Sequence, residues 1–323
     1  MNKFNDRHNP GMGKATWLPW AEAVFSVVVW GASFIATKVA LQECSPAAVV
    51  WLRFAIGVVV LGGAAALRRQ FTLPSRGELA YFTLLGFIGI TFHQWLQSTG
   101  LVTAQASTTA WIVSTIPAFM AVLGWAFLRE RLNWRQIGGI VLAGMGVLLV
   151  VSQGDLRALT AGSFGAPGNL LILISAPNWA VFSILSRSRL QRYPAAWMML
   201  YVMLTGWVLS TLPWLAQAGG EYSGGLPWLG FPPLQAALQE LSRLSWQGWL
   251  AIIWLGLFAS GLAYIAWYDA LKVISAAQVG VLLYIEPLVA VVVSWLVLGE
   301  PIRPVALLGG GIILFGVWAV QQR

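Results

Sequence analysis

The chain is poor in charge. Only 9% of its 323 residues are Asp, Glu, Lys or Arg, while 58% are hydrophobic; a soluble globular domain is nearer a quarter charged. So few charged groups cannot cover a water-facing surface, so the composition excludes a soluble fold and implies an integral membrane protein. Cys44 is the single cysteine, which excludes an internal disulfide or a thiolate metal cluster. Only two histidines are present, His8 and His93. With so few ligands and bases, no metal site, cofactor or nucleophile–base pair is expected within the apolar segments, and an intramembrane enzyme is a poor reading. Alternation of apolar and polar residues is missing too, which argues against a transmembrane barrel. The "GAPGN" at 165–169 lacks a strand–helix context, so it reads as a loop and not a phosphate cradle.

Long apolar runs take the place of these features. Ten candidate spans, all α-helical, lie at 20–41, 46–67, 77–98, 104–128, 134–152, 168–187, 195–217, 247–270, 275–298 and 303–321. Each approaches the roughly 20 residues needed to cross a hydrocarbon core about 30 Å thick. Residues 1–19 form a polar, basic tail, and the run that follows is long enough to span, so a cleavable leader is not expected. With the N-terminus inside, the inside segments hold Lys3, Arg7, Lys14, Arg68, Arg69, Arg76, Arg129, Arg131, Arg135, Arg187, Arg189, Arg192, Lys272 and Arg323. Outside loops hold Arg157, Arg243 and Arg303, and Lys38 and Arg53 fall within spans. That asymmetry predicts a multi-pass protein of the cytoplasmic (inner) membrane with both termini cytoplasmic. The net charge of +8 is thereby assigned to topology and lipid, not to a nucleic-acid partner. In the long outside loop at 218–246, Leu234, Leu238, Leu241 and Leu244 recur at helical spacing, which predicts a short amphipathic helix on the outer membrane surface.

Shifted by 170 residues, Ala106–Val150 matches Ala276–Val320 without gaps. Pro117 falls on Pro287, Trp125 on Trp295, Glu130 on Glu300, Gly139 on Gly309 and Gly146 on Gly316. The chain therefore divides into a first repeat at 20–152, an outer connection at 153–167 and a second repeat at 168–321. Each repeat has five spans, an odd number, so the two must enter the membrane in opposite directions. Inverted repeats are the architecture of secondary transporters. A channel fits less well, because neither a repeated ring-forming filter nor an Arg-rich voltage-sensing helix is present.

The stretches "WGASFIATK" (Trp30–Lys38) and "SPAAVVWLRF" (Ser45–Phe54) resemble the opening motifs of the drug/metabolite transporter (DMT) superfamily, in its EamA-type branch. The paired "P" then "LRERL" of the fourth span and "EPLVAVVVSWLVLGEPI" of the ninth are similar to the signatures of its two domains. The resemblance implies a basket-shaped ten-helix fold and export of small organic metabolites by alternating access. It also implies relatives that export amino acids, aromatic ones among them.

Candidate site residues follow from charge and polarity inside the spans. A charge at a helix centre costs about 2.5–3.5 kcal/mol on insertion scales, so it faces a cavity or a partner. Glu286 is the first such group. Pro287 beside it lacks an N–H and is expected to free the carbonyl of Leu283. Its twin Pro117 follows Ile116, so the helix break belongs to both repeats and the carboxylate to one. Arg53 and Lys38 are candidates for a substrate carboxylate, or for structural pairing with Glu43, Glu286 or helix ends. His93 is a candidate for titration near neutral pH. Trp111, Trp267, Tyr264, Tyr284 and Asn178 could line a cavity or offer aromatic faces to a cation. Asp269 is expected to flank the inner end of its helix. Glu130 and Glu300, beside Arg131 and Arg303, read as structural groups pairing locally with those bases. The glycines of the last span of each repeat read as packing faces, with dimerisation faces as the alternative. The expected partners are a small-molecule substrate, the bilayer and protons as a coupling ion, with the chain a monomer or homodimer. An exporter of hydrophobic cationic drugs is the alternative within the same class.

Overall fold

The computed structural model describes residues 17–129, 131–155, 165–190, 193–220, 232–274 and 282–322. In these the chain forms α1 (Leu18–Ala40), α2 (Pro46–Leu67), α3 (Arg76–Thr103), then α4 in two pieces (Ala106–Val113 and Ile116–Leu128). Next come α5 (Trp134–Ser152), α6 (Gly168–Leu190), α7 (Ala195–Gly220), the short α8 (Pro232–Ser242) and α9 (Trp246–Ala270). The last two are α10 (Ile285–Leu298) and α11 (Pro304–Gln321). Among the described residues, nine of these are long and apolar enough to cross a membrane. The ninth apolar run, 275–298, is described only from Leu282 onwards, so α10 is shorter.

Local signals set the starts. Ser45 caps α2 in an extended conformation and accepts from Ala48 N at 3.2 Å, with Pro46 in the first turn, where its missing N–H costs nothing. Ser75 with Glu78 and Asn133 with Gln136 form capping boxes for α3 and α5, each satisfying two orphan N–H groups.

Bonds between connections sort the chain ends into two faces. Arg68 pairs with Asp269 at 2.7 Å, and Trp197 Nε1 donates to Thr72 O at 2.7 Å, on the face where α1 begins. On the opposite face Ser245 binds Glu43, Ser45 N donates to Glu240 Oε1 at 2.5 Å, and Ala106 N donates to Glu300 Oε1 at 2.9 Å. The second repeat opens on this Glu300 face: Gly168 N donates to Thr103 Oγ1, at the end of α3, at 2.8 Å. The two repeats thus run in opposite senses. Packing follows the same exchange: α1 lies on α10 and α9 as α6 lies on α4 and α3, while α2 meets α7 and α5 meets α11.

Close approach at these crossings needs glycine. A Cβ at Gly146 would stand 2.7 Å from Gly309 O, and one at Gly139 2.5 Å from Gly316 O. Gly139 and Gly146 of α5 therefore pack against Gly316 and Gly309 of α11, while a Cβ at Gly138, Gly144 or Gly311 would meet nothing within 4 Å.

Two features lay outside the sequence reading. α3 and α9 each contain a π-helical turn, Phe87–Phe92 and Leu255–Leu262, at positions related by the 170-residue shift. A π turn widens the helix and opens its carbonyls to lateral donors, and in hydrocarbon those carbonyls need partners. Asn178 Nδ2 of α6 donates to Ile88 O at 2.8 Å, and Trp30 Nε1 of α1 to Ala259 O at 3.1 Å. The shift also pairs Gly86 with Gly256, against α7 and α2 respectively.

The amphipathic helix of the long loop is α8, but its leucine stripe divides. Ala236 and Ala237 are buried against the cluster that holds Trp214, and Leu244 beyond the helix end is buried there too. Leu234 and Leu238 stay exposed. The helix is turned so that Glu240 reaches Ser45 N and, at 3.4 Å, Trp214 Nε1.

Gly146→Ala is expected to lower stability by about 1–3 kcal/mol, because backbone must move to admit the methyl. Gly144→Ala, with nothing within 4 Å, should be tolerated or gain roughly 1 kcal/mol. Denaturation in mixed micelles checks the pair; equal effects would place the α5–α11 contact elsewhere.

Candidate functional site

Arg53 sits two turns into α2 and is buried, 5% exposed. Its Nε donates to Ser260 Oγ at 3.0 Å and its Nη1 to Gln94 Oε1 at 3.2 Å, and its guanidinium carbon lies 5.1 Å from the Phe54 ring centre. Both acceptors are neutral. Nη2 has no hydrogen-bond partner among the described residues, and none of their carboxylates pairs with this arginine. A guanidinium carries five N–H donors, so part of its capacity is unused. Ser260 belongs to the π turn of α9, and Gln94 follows the π turn of α3. The two irregular helices therefore aim ligands at one cation from either side. Ser260 escaped the sequence reading; the paired Gly86 and Gly256 were the available signal.

His93, next to Gln94, is buried against the Trp179 ring at 4.6 Å between centres, and its Nδ1 is a buried atom without a partner. Trp30 gathers Tyr264 (5.6 Å) and Trp267 (5.1 Å) around it, while its indole N–H is spent on Ala259 O. The structure thus groups Arg53, Gln94 and Ser260, with His93 adjacent in the chain, and beside them an aromatic cluster on α1 and α9 whose Tyr264 lies within electrostatic reach of Arg53. Asn178 is engaged by the π turn of α3.

Glu286 occupies a real break. In α4 the helix stops at Ser114 and Thr115 and restarts with Pro117 in its first turn. In the second repeat the corresponding turn is Leu283–Tyr284, before α10. The first break is closed by hydroxyls: Ser114 Oγ donates to Trp111 O at 2.7 Å and Thr115 Oγ1 to Ile112 O at 2.6 Å. Tyr284 and Ile285 stand at those positions in the second break, and the Tyr284 hydroxyl donates instead to Gln321 Oε1 at 2.9 Å. The expected free carbonyl of Leu283 is not found, because Glu286 N donates to it at 3.2 Å. Proline starts the new helix segment here and does not kink a continuous one. The Glu286 side chain is half-buried and makes no hydrogen bond or ion pair with the described residues. Its backbone carbonyl is pressed by Gly31 of α1, where a Cβ would come within 2.6 Å.

Lys38 is differently placed. Its Nζ donates to Ala104 O at 2.5 Å and lies 3.7 Å from Glu300 Oε1. Glu300 accepts from Ala106 N, Ser107 N and Ser107 Oγ, capping the first piece of α4, where a helix end favours negative charge. Glu300 therefore pairs with Lys38 and a helix end, not with Arg303, which donates to Gln153 Oε1. Its repeat partner Glu130 lies outside the described residues. Asp269 binds Arg68 and, at 3.0 Å, Lys272, so it ties two connections together. Trp111 is buried with its Nε1 unpartnered and its ring against Gly310. It lines a small pocket of about 20 Å³ with Glu300, Ser294 and Val291, room for about one water molecule.

Comparison with known proteins agrees with this architecture. Residues 17–152 and 166–321 each match the EamA-like transporter family. A "Probable terminal-alkyne amino-acid exporter" of Streptantibioticus cattleyicolor is 27% identical, covering 97% of this chain and 95% of its own. An "Uncharacterized transporter" of Archaeoglobus fulgidus is 24% identical over 94% of this chain and 99% of its own. The "Uncharacterized transporter YdfC" of Bacillus subtilis is 28% identical over 90% and 86%. A crystal structure 19% identical in sequence superposes with a TM-score of 0.60, covering 93% of this chain and 95% of its own; that likeness concerns the fold alone.

On the Glu300 face, Glu43 accepts from Ser245 Oγ and Ser245 N, each at 2.6 Å. The Ser245 hydroxyl, then its backbone N–H, hold the Glu43 carboxyl below the ordinary carboxylate range. A depressed folded value means stability that is present above the unfolded value and lost as pH falls through the folded one. Melting curves should therefore show the wild type losing thermal stability as the medium is acidified below the ordinary carboxylate range. Glu43→Gln should start lower at neutral pH and lose less. Identical slopes would show that this cap does not titrate with unfolding.

Proposed function

The chain belongs to the EamA-like transporter family, and on that premise we propose that it is a secondary exporter of amino acids. It works by alternating access about a site between the two repeats, in the cytoplasmic membrane. The basic Arg68 face and both termini lie in the cytoplasm, as the distribution of Lys and Arg favours.

The observation that carries the amino-acid reading is Arg53. A buried cation with neutral ligands and an unused N–H edge lacks the counter-charge that its desolvation calls for. A substrate carboxylate supplies that charge, and its two oxygens suit a guanidinium fork. Glu286, unpaired at the break before α10, takes the substrate's ammonium group. Trp30, Tyr264 and Trp267 offer apolar and π surface to the side chain. The printed name of the Streptantibioticus relative supports the same substrate class. Protons are the coupling ion, carried by Glu286 or His93. Lys38 and Asn178, both committed to backbone carbonyls, act as struts.

An exporter of hydrophobic cations would use Glu286 and the aromatic cluster and would not need Arg53. Counterflow in reconstituted vesicles, with amino acids and lipophilic cations in parallel, separates the two. Arg53→Met should remain folded, since a buried charge can often be replaced by an apolar side chain without loss of stability. It should nonetheless lose amino-acid counterflow by more than about tenfold, given the roughly 1.5–3 kcal/mol of a charged hydrogen bond. Full amino-acid transport by a folded Arg53→Met protein would refute the site.

A further inference from the structure

The connection from α4 to α5 carries a second cationic cluster, without partners among the described residues, on the Arg68 face. Arg129, Arg131 and Arg135 are exposed, and none bonds to a carboxylate or other acceptor among the described residues. Arg68 and Arg303 have partners, whereas Arg69, Arg76 and Arg243 are exposed without a side-chain partner among the described residues, so exposure alone does not single out these three. The repeat makes these three informative. Under the 170-residue shift they fall on Gly299, Pro301 and Val305, so the fold itself does not require basic residues there. Arg129 and Gly299 both end their helices in the left-handed region, at φ 57°, ψ 26° and φ 65°, ψ 18°. Glycine adopts that conformation freely and arginine does not. Arg69 and Gln153 adopt the same region at φ 53° and 54°, so the conformation alone assigns no role. Arg129 differs in standing where its twin position has glycine and in rimming a groove.

Its surroundings state the ligand. Arg129 and Arg131 rim an open groove whose walls are Trp125, Ala126 and Leu132. Trp125 is 57% exposed and Trp134 is 87% exposed, as expected of indoles at a membrane–water boundary. Following in the chain, α5 presents Ile137 and Val141 as exposed apolar residues on the same helix face as Trp134. Cations at the water side, indoles at the boundary and aliphatic wall below match one amphiphile in charge and polarity. We propose that Arg129, Arg131 and Arg135, with Trp125 and Trp134, form a binding site for the headgroup of an anionic phospholipid. The phosphate sits in the guanidinium fork of Arg129 and Arg131, and an acyl chain runs along α5. The inference needs only a membrane protein and is independent of the transported substrate.

Native mass spectrometry and thermal shift of the full chain, with phosphatidylglycerol or phosphatidylcholine added to detergent-purified protein, provide the test. Wild type should retain phosphatidylglycerol over phosphatidylcholine. Arg131→Gln and Arg129→Gly should each reduce that retention about fivefold, the contribution of one basic residue at an anionic surface. In phosphatidylcholine, Arg129→Gly should melt at or above the wild-type temperature, because glycine relieves the left-handed backbone. Arg76→Gln, an exposed base on the same face, should change retention less than twofold. Unchanged retention in the two groove variants would overturn the proposal. So would an equal loss with Arg76→Gln, which would reveal a diffuse charge effect, or protection by inorganic phosphate alone, which would reveal a soluble anion.

Discussion

Everything in this structure answers to one constraint: a backbone carbonyl or N–H inside hydrocarbon must find a partner within the protein. A continuous helix meets it by itself. Among the described residues the spans depart from continuity four times, at the π turns of α3 and α9 and at the breaks within α4 and before α10. The π turns recruit neighbouring helices, and the breaks are closed from within the chain segment itself. Asn178 and Trp30 serve the π turns from the adjacent repeat-related helices, and Ser114 and Thr115 close the first break. Helix ends on the Glu300 face are served by carboxylates from distant parts of the chain, Glu43, Glu240 and Glu300. The polar side chains of the membrane interior are thus mostly accounted for by backbone.

What remains unaccounted for includes the two groups at which we propose that function is placed. Arg53 is held by two neutral groups, Glu286 by none of the described residues, and Glu286 stands where one repeat departs from the other. The break before α10 keeps the geometry of its twin but replaces a hydroxyl pair by tyrosine and isoleucine, followed by glutamate where the first repeat has isoleucine. Symmetry supplies two similar units, and asymmetry within them supplies the proposed site. The same logic applies at the Arg68 face, where the left-handed helix end common to both repeats carries glycine in one and arginine in the other.

Much of the fold was legible. Spans, repeat and opposed orientation follow from apolar runs, an odd span number and the Pro–Trp–Glu–Gly series, because those depend on length and composition. The glycines of α5 and α11 were legible as packing residues for the same reason. Partner identity was not. Lys38 was open to Glu43 or Glu286 and pairs with Glu300, 262 positions away in the chain. Glu300 was assigned to Arg303, and Leu283 O to no partner; both assignments fail because helix ends and turns compete for those atoms. The leucine stripe of α8 predicted a helix correctly but not its rotation, which Glu240 and the buried Ala236 and Ala237 decide.

The sequence alone determined that this chain is a membrane protein of two inverted halves, since hydrophobic length and repetition are properties of the chain. It also determined which residues break that repetition, Glu286 and Arg129 among them. Only the tertiary structure decided which polar groups are consumed and which are spare. A hydrogen bond between distant segments depends on helix rotation and depth, and a π turn shifts both by a residue's worth of register. That shift is why Ser260 and Gln94 converge on Arg53, a meeting that linear spacing does not encode.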